Sequence, residues 1–321
     1  MSKTEASWEY VVVLHFWTFQ DYGNNEIGQR FLNIMQRHGF IPDKYGDEDP
    51  PKRNFKVSSP VGFLKLWTRQ PGQLNLQKLG RMGFQALLHM SGPLPRLVTF
   101  ALHDEYFQSS ESISRFLEFS EELYTQLKPV YGEISHKKDW DKKTVIIEPI
   151  RIGDKTVNAE AHLPVQPTKG LPGIFWANYF GPTFVDFYTK AKLASAPGYS
   201  KKDLLDGGRL ILTSRSPLDY AKPETKKTEG DLIDFLGPDT IVDKTLPDRI
   251  LRSPFPTLTG AVAAGPSKPQ APTSSISSNL QNCPDCGETK TEEVSRDSVN
   301  NLIGFRCLAC GARWMVHTSL L

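Results

Sequence analysis

Four cysteines fall in the last 39 residues of the 321-residue chain, and there are no others. They read Cys283-Pro284-Asp285-Cys286 and Cys307-Leu308-Ala309-Cys310, two C-x2-C pairs with twenty residues between them. Each pair offers two thiolates from one tight turn, and two pairs close a tetrahedral four-sulfur shell around Zn2+. Gly287 and Gly311 follow the second cysteine of each pair, where a missing Cβ lets the backbone fold under the metal. A filled four-thiolate shell has no open position, so the expected ion is one structural zinc.

Other chemistry is sparse. No Walker A loop, G-x-G-x-x-G turn or G-x-S-x-G elbow appears. His103-Asp104-Glu105, at the end of an expected strand, is the best acid–base candidate, and the alternative is an ordinary strand terminus. His15 sits inside an apolar strand and reads as a satisfied core histidine. His38, beside Gly39, complements a helix C-terminus. The expectation is no catalytic residue.

The elements that must carry these residues form two bodies. Residues 260–282 are small residues and prolines, a linker spanning on the order of 25–30 Å as a coil. Before it, residues 7–255 supply a core. After it, 283–321 is too short to bury one and would be held together by the metal. Tyr10–Trp17, Met82–Met90, Arg96–His103, Val130–Ser135, Thr144–Pro149, Gly173–Phe180 and Arg209–Ser214 read as strands. Helices are expected over 24–39, 61–67, 110–128 and 183–193. The loops are the Pro- and charge-rich 42–53 and the lysine- and glutamate-rich 220–230. Adjacent strands with tight turns give an α+β fold with a largely antiparallel sheet.

Composition narrows the partners. The net charge is +2, with none of the basic excess of a chain built on nucleic acid or an anionic membrane. No run approaches the ~20 apolar residues of a membrane span, and Met1–Glu5 open no signal-peptide run. Cysteines confined to a metal pattern point to a reducing, cytoplasmic setting.

Two resemblances add to this reading. Residues 281–317, with Cys-Pro-Asp-Cys-Gly and Arg-Cys-Leu-Ala-Cys-Gly-Ala-Arg-Trp, resemble the zinc-ribbon family, with a hairpin over 292–306 and a third strand over 313–317. Ribbons bind nucleic acid or protein. Here four basic residues face five acidic ones, and Phe305 and Trp314 either stack on bases or fill the small core. Leu171–Val185, which contains Trp176-Ala177-Asn178-Tyr179-Phe180-Gly181-Pro182, resembles the centre of bacterial polymorphic-toxin immunity proteins of type fifty-two, together with Tyr131-Gly132 and Asp206-Gly207-Gly208. That resemblance covers about 8–220. It implies a non-enzymatic protein that occludes a toxin's active site, with Trp176, Asn178 and Tyr179 as candidate contact residues, against the reading that large aromatics such as Trp176 and Tyr179 fill the core and Asn178 bonds backbone near the Gly-Pro turn. The alternatives are a nucleic-acid-associated factor working through the ribbon and an unrecognised hydrolase using His103 and Asp104.

Overall fold

The computed structural model describes residues 11–80, 83–91, 94–152, 155–162, 167–246, 251–255, 291–297, 302–307 and 313–317; for 148–162 and the last three segments only the backbone is described. The expected linker and Cys283, Cys286 and Cys310 lie outside these residues. Residues 1–258 and 259–321 form two separate units.

In the first unit the strands are β1 (Val11–Thr18), β2 (Lys44–Gly46), β3 (Arg53–Asn54), β4 (Leu74–Lys78), β5 (Phe84–Leu88), β6 (Arg96–His103), β7 (Tyr131–His136), β8 (Val145–Ile152), β9 (Lys155–His162), β10 (Ala177–Phe180), β11 (Ser200–Asp203) and β12 (Arg209–Leu212). The helices are α1 (Asn25–Arg37), α2 (Val61–Arg69), α3 (Ser110–Leu127), α4 (Lys137–Thr144), α5 (Pro182–Tyr188), α6 (Lys190–Ser195) and α7 (Pro223–Leu236). Ten strands make one sheet in the order β11-β12-β10-β7-β1-β6-β5-β4-β2-β3, and every described pairing in it is antiparallel. β8 and β9 form a separate hairpin. The α+β class expected from the sequence is the observed one.

Val11-Val12-Val13-Leu14-His15-Phe16-Trp17-Thr18 is buried along its whole length, as a central strand covered on both faces must be. Leu14 and Phe16 face the first core with Phe31 and Met35 of α1, Trp67 of α2 and Phe119 of α3. Trp17 faces a second core, on the opposite side, with Phe184 and Tyr188 of α5, Leu193 of α6 and Leu232 of α7. β5 and β6 instead alternate between buried and half-buried residues. Their first face joins the large core and their second is only partly covered. Gly132 lets β7 pass Phe16, since a Cβ there would lie 2.1 Å from that ring. The sheet edges resist further pairing: β11 carries exposed Lys201 and Lys202, and β3 is two residues long.

Several expectations need correction. The 220–230 stretch is largely helical: Pro223 opens α7, Glu224 suits its positive end, and Leu232 and Leu236 bury one side. The helix expected over 183–193 is two helices, parted at Thr189, whose φ of 70° breaks the turn. The strand expected from Gly173 begins only at Ala177, because Gly173 has a φ of 156° and Leu171 bridges to Ile241 instead. The loop over 42–53 contains β2 and the start of β3, and β4, α4, β9 and β11 had no expectation. Helices α1 and α3 lie where the periodicity put them, capped by Asn24 and Ser109.

In the second unit β13 (Thr291–Asp297), β14 (Leu302–Cys307) and β15 (Arg313–His317) form an antiparallel sheet in that order.

Candidate functional site

The tryptophan–asparagine–tyrosine segment organises the interior. β10 alternates between the two cores: Ala177 and Tyr179 join the first, Phe180 the second. Trp176 donates its Nε1–H to the Ser214 carbonyl at 3.0 Å, and Tyr179 Oη and Ser120 Oγ are 2.6 Å apart. Asn178 Oδ1 accepts from Phe175 N at 3.0 Å and from Tyr131 Oη at 3.2 Å, while its Nδ2 donates to the Phe175 carbonyl at 2.8 Å. Gly181 is required because a Cβ would lie 2.5 Å from the Pro129 carbonyl, and Pro182 starts α5. Trp176, Asn178 and Tyr179 are at most 2% exposed. Their side chains are engaged inside the protein and present no surface to a partner.

Register places a polar row across the second face of the sheet. Asn75 pairs with Leu87, Leu87 with Thr99, Thr99 with His15, His15 with Glu133, and Glu133 with Asn178. A neighbouring row runs Gln77, Gln85, Ala101, Val13, Ser135. No run of local sequence reveals these rows, because each contributes one residue per strand.

At its β7 end the row meets charges from α4 and α7. His15 Nδ1 is 2.8 Å from Glu133 Oε1, and the His15 ring lies 5.3 Å from that of Trp140. Burial raises the Glu133 carboxyl above its ordinary value, against the pull of His15 and Lys143. Beside it Lys143 donates to Asp139 at 2.6 Å, to Glu229 at 3.0 Å and to the Ile174 carbonyl at 2.5 Å. Lys226 donates to the same two carboxylates at 2.6 and 2.8 Å. Burial works to lower the Lys226 ammonium, but those two bonds outweigh it and its pKa is raised. Asp139 and Glu229, 90 residues apart in the chain, are thus held by two shared lysines. His15 is the satisfied core histidine its sequence context implied.

At its β4 end the row opens into a groove. Asn75, Gln77, Gln85 and Leu87 belong to neither core. With Thr99, Ala101 and Val13 they line a groove of about 270 Å³, walled by Asp49 and Pro51 and by Lys137. Asn75 Nδ2 is buried with no hydrogen-bond partner. Gln77 and Gln85 gave no signal in sequence, since polar residues alternating along a strand read as a solvated face.

His103 ends β6, and its Nδ1 lies 3.1 Å from Asp104 Oδ1 and accepts the Glu105 N–H at 3.3 Å. Nδ1 therefore serves a local turn, leaving Nε2 as its other nitrogen. Cys307 ends β14 in register with Thr291, which follows Cys286 by five residues. Phe305 and Trp314 are register partners on β14 and β15. Among the described residues no helix is long and apolar enough to cross a membrane.

No protein-family model and no curated protein matches the chain. Among solved structures it is similar to a T6SS protein of Pseudomonas aeruginosa, with 11% identity, a TM-score of 0.43 and coverage of 70% of this chain and 71% of that one.

Proposed function

We propose that residues 1–258 form a non-enzymatic binding module of the toxin-immunity type, which neutralises a cognate toxin by covering its active site. The observation that carries this reading is the second sheet face. Toward β10 its polar groups lie against the charges of α4 and α7, with Glu133 held by His15, although Glu133 Oε2 and Ser135 Oγ keep no partner. Toward β4 they line a groove that belongs to neither core. Buried polar groups are normally paired within the chain or by what binds to it. The resemblance of Leu171–Val185 to immunity proteins supports the same class, although those residues act as its frame.

In the same reading Cys283, Cys286, Cys307 and Cys310 hold one structural Zn2+, and the ribbon adds a second, tethered contact that raises avidity. Of this set Cys307, at the end of β14, is among the described residues. A bound Zn2+ would cross-link the two C-x2-C pairs. Elemental analysis of the purified chain is expected to find one zinc per chain, lost on Cys307→Ser.

Calorimetric titration with the toxin encoded by the adjacent gene tests the function. The expected result is a one-to-one complex that survives removal of 260–321. A neighbouring product with no measurable affinity, or salt-dependent RNA or DNA binding that needs 281–321, would refute it.

A further inference from the structure

We infer that the groove across β1, β6, β5 and β4 receives an extended, uncharged segment of the partner protein, hydrogen-bonded through its main chain. This deepens the binding reading above and rests on it.

Size comes first. At about 270 Å³ the groove is no larger than the smallest ligand pockets, so only a short stretch of a partner can enter it. Chemistry comes second. Asn75, Gln77 and Gln85 each carry an amide with both donors and an acceptor, the complement of a peptide unit's carbonyl and N–H. Asn75 and Gln77 share β4, and Gln85 pairs with Gln77 from β5 at the ~4.8 Å sheet spacing, with Leu87 beside them and Ala101 and Val13 beyond them for small apolar side chains. Asn75 lines the groove, is only 7% exposed, and its Nδ2 is a buried donor with no acceptor from this chain. A carbonyl oxygen of the incoming segment supplies one.

Charge comes third. The floor is neutral, and the two charges at the rim are of opposite sign, Asp49 and Lys137, with Lys137 already paired to Asp141. A charged side chain of the segment would be desolvated over amides and aliphatic groups with no counter-charge, which disfavours acidic and basic segments alike. Nucleic acid is disfavoured on the same ground.

The test uses a phage-displayed library of random dodecapeptides panned on the full chain. Selected peptides are then made synthetically and titrated by fluorescence anisotropy against the wild type, Asn75→Leu and Gln85→Lys. Uncharged consensus segments are expected, with affinity falling at least tenfold in both variants while circular dichroism and the melting temperature stay at wild-type values. Gln85→Lys adds charge at the floor, and Asn75→Leu removes the donor while keeping the bulk. Failure to select any peptide, equal affinity for all three proteins, or a strongly charged consensus would overturn the inference. So would a dimer in sedimentation that Gln85→Lys dissociates, since a second copy would then fill the groove. The two readings fail separately. Absence of toxin binding by the wild type sinks the immunity reading, whereas toxin binding undiminished by Gln85→Lys sinks the groove assignment alone.

Discussion

The two halves of the second sheet face carry similar residues and meet different fates. Toward β10, Glu133 is held by His15 beside the charged cluster of α4 and α7, and Asn178 by backbone groups of a loop, although Glu133 Oε2 and Ser135 Oγ stay without a partner. Toward β4, Asn75, Gln77, Gln85 and Thr99 receive no such cover from either core. The same register row supplies both, so strand pairing alone does not determine which polar groups stay inside a fold and which serve a partner. What is packed above them does.

That contrast can be broken most severely from the covered side. Asp139→Ala removes a buried carboxylate shared by Lys143 and Lys226, leaving Glu229 as the carboxylate common to both ammonium groups, with Lys143 also on the Ile174 carbonyl. Breaking such a cluster from one side is expected to cost about 3–5 kcal/mol of stability in urea unfolding. Asn178→Ala comes next. It deprives Phe175 N of its side-chain partner, leaves the Phe175 carbonyl with Thr213 Oγ1 and leaves Tyr131 Oη with the Gly173 carbonyl, for an expected loss of about 2–3 kcal/mol by the same measurement.

A subtler test uses pH. The folded chain holds a proton on Glu133 more tightly than the unfolded chain, because burial raises its pKa above 4.5. Stability from this group is therefore fully present below the ordinary carboxylate value and is lost as pH rises through the raised one. Glu133→Gln is expected to flatten the stability–pH profile in that window while leaving the fold intact. A profile unchanged by the substitution would contradict the burial argument. The smallest expected effect on stability comes from the open side: Thr99→Lys should move the unfolding free energy by about 0.5 kcal/mol or less. A loss as large as that of Asn178→Ala would show that this face is packed like the other.

Sequence and structure agree where the signal is local. The β-branched run of β1, the capped stripe of α3 before Pro129 and the glycine–proline step at Gly181-Pro182 were all legible. Helix α7 was hidden by its own charges. Lys226 and Glu229 look solvated along the chain, yet Glu229 is 3% exposed because Asp139 and Lys143, far upstream, complete its surroundings. The aromatic segment was legible as important but not as to why. Large aromatics beside an asparagine serve an interface or a core equally well, and only the bonds to Phe175, Ser214 and Ser120 decide for the core. The groove was invisible for a third reason, since its residues come from four strands and meet only through register.

The most direct test of the division between the two halves is one paired measurement on Thr99→Lys: its urea midpoint and its affinity for the adjacent-gene toxin, each against the wild type. The expected outcome is an unchanged midpoint with affinity reduced at least a hundredfold. A variant that unfolds early, or one that keeps both its midpoint and its affinity, would contradict the assignment of this half-face to the partner.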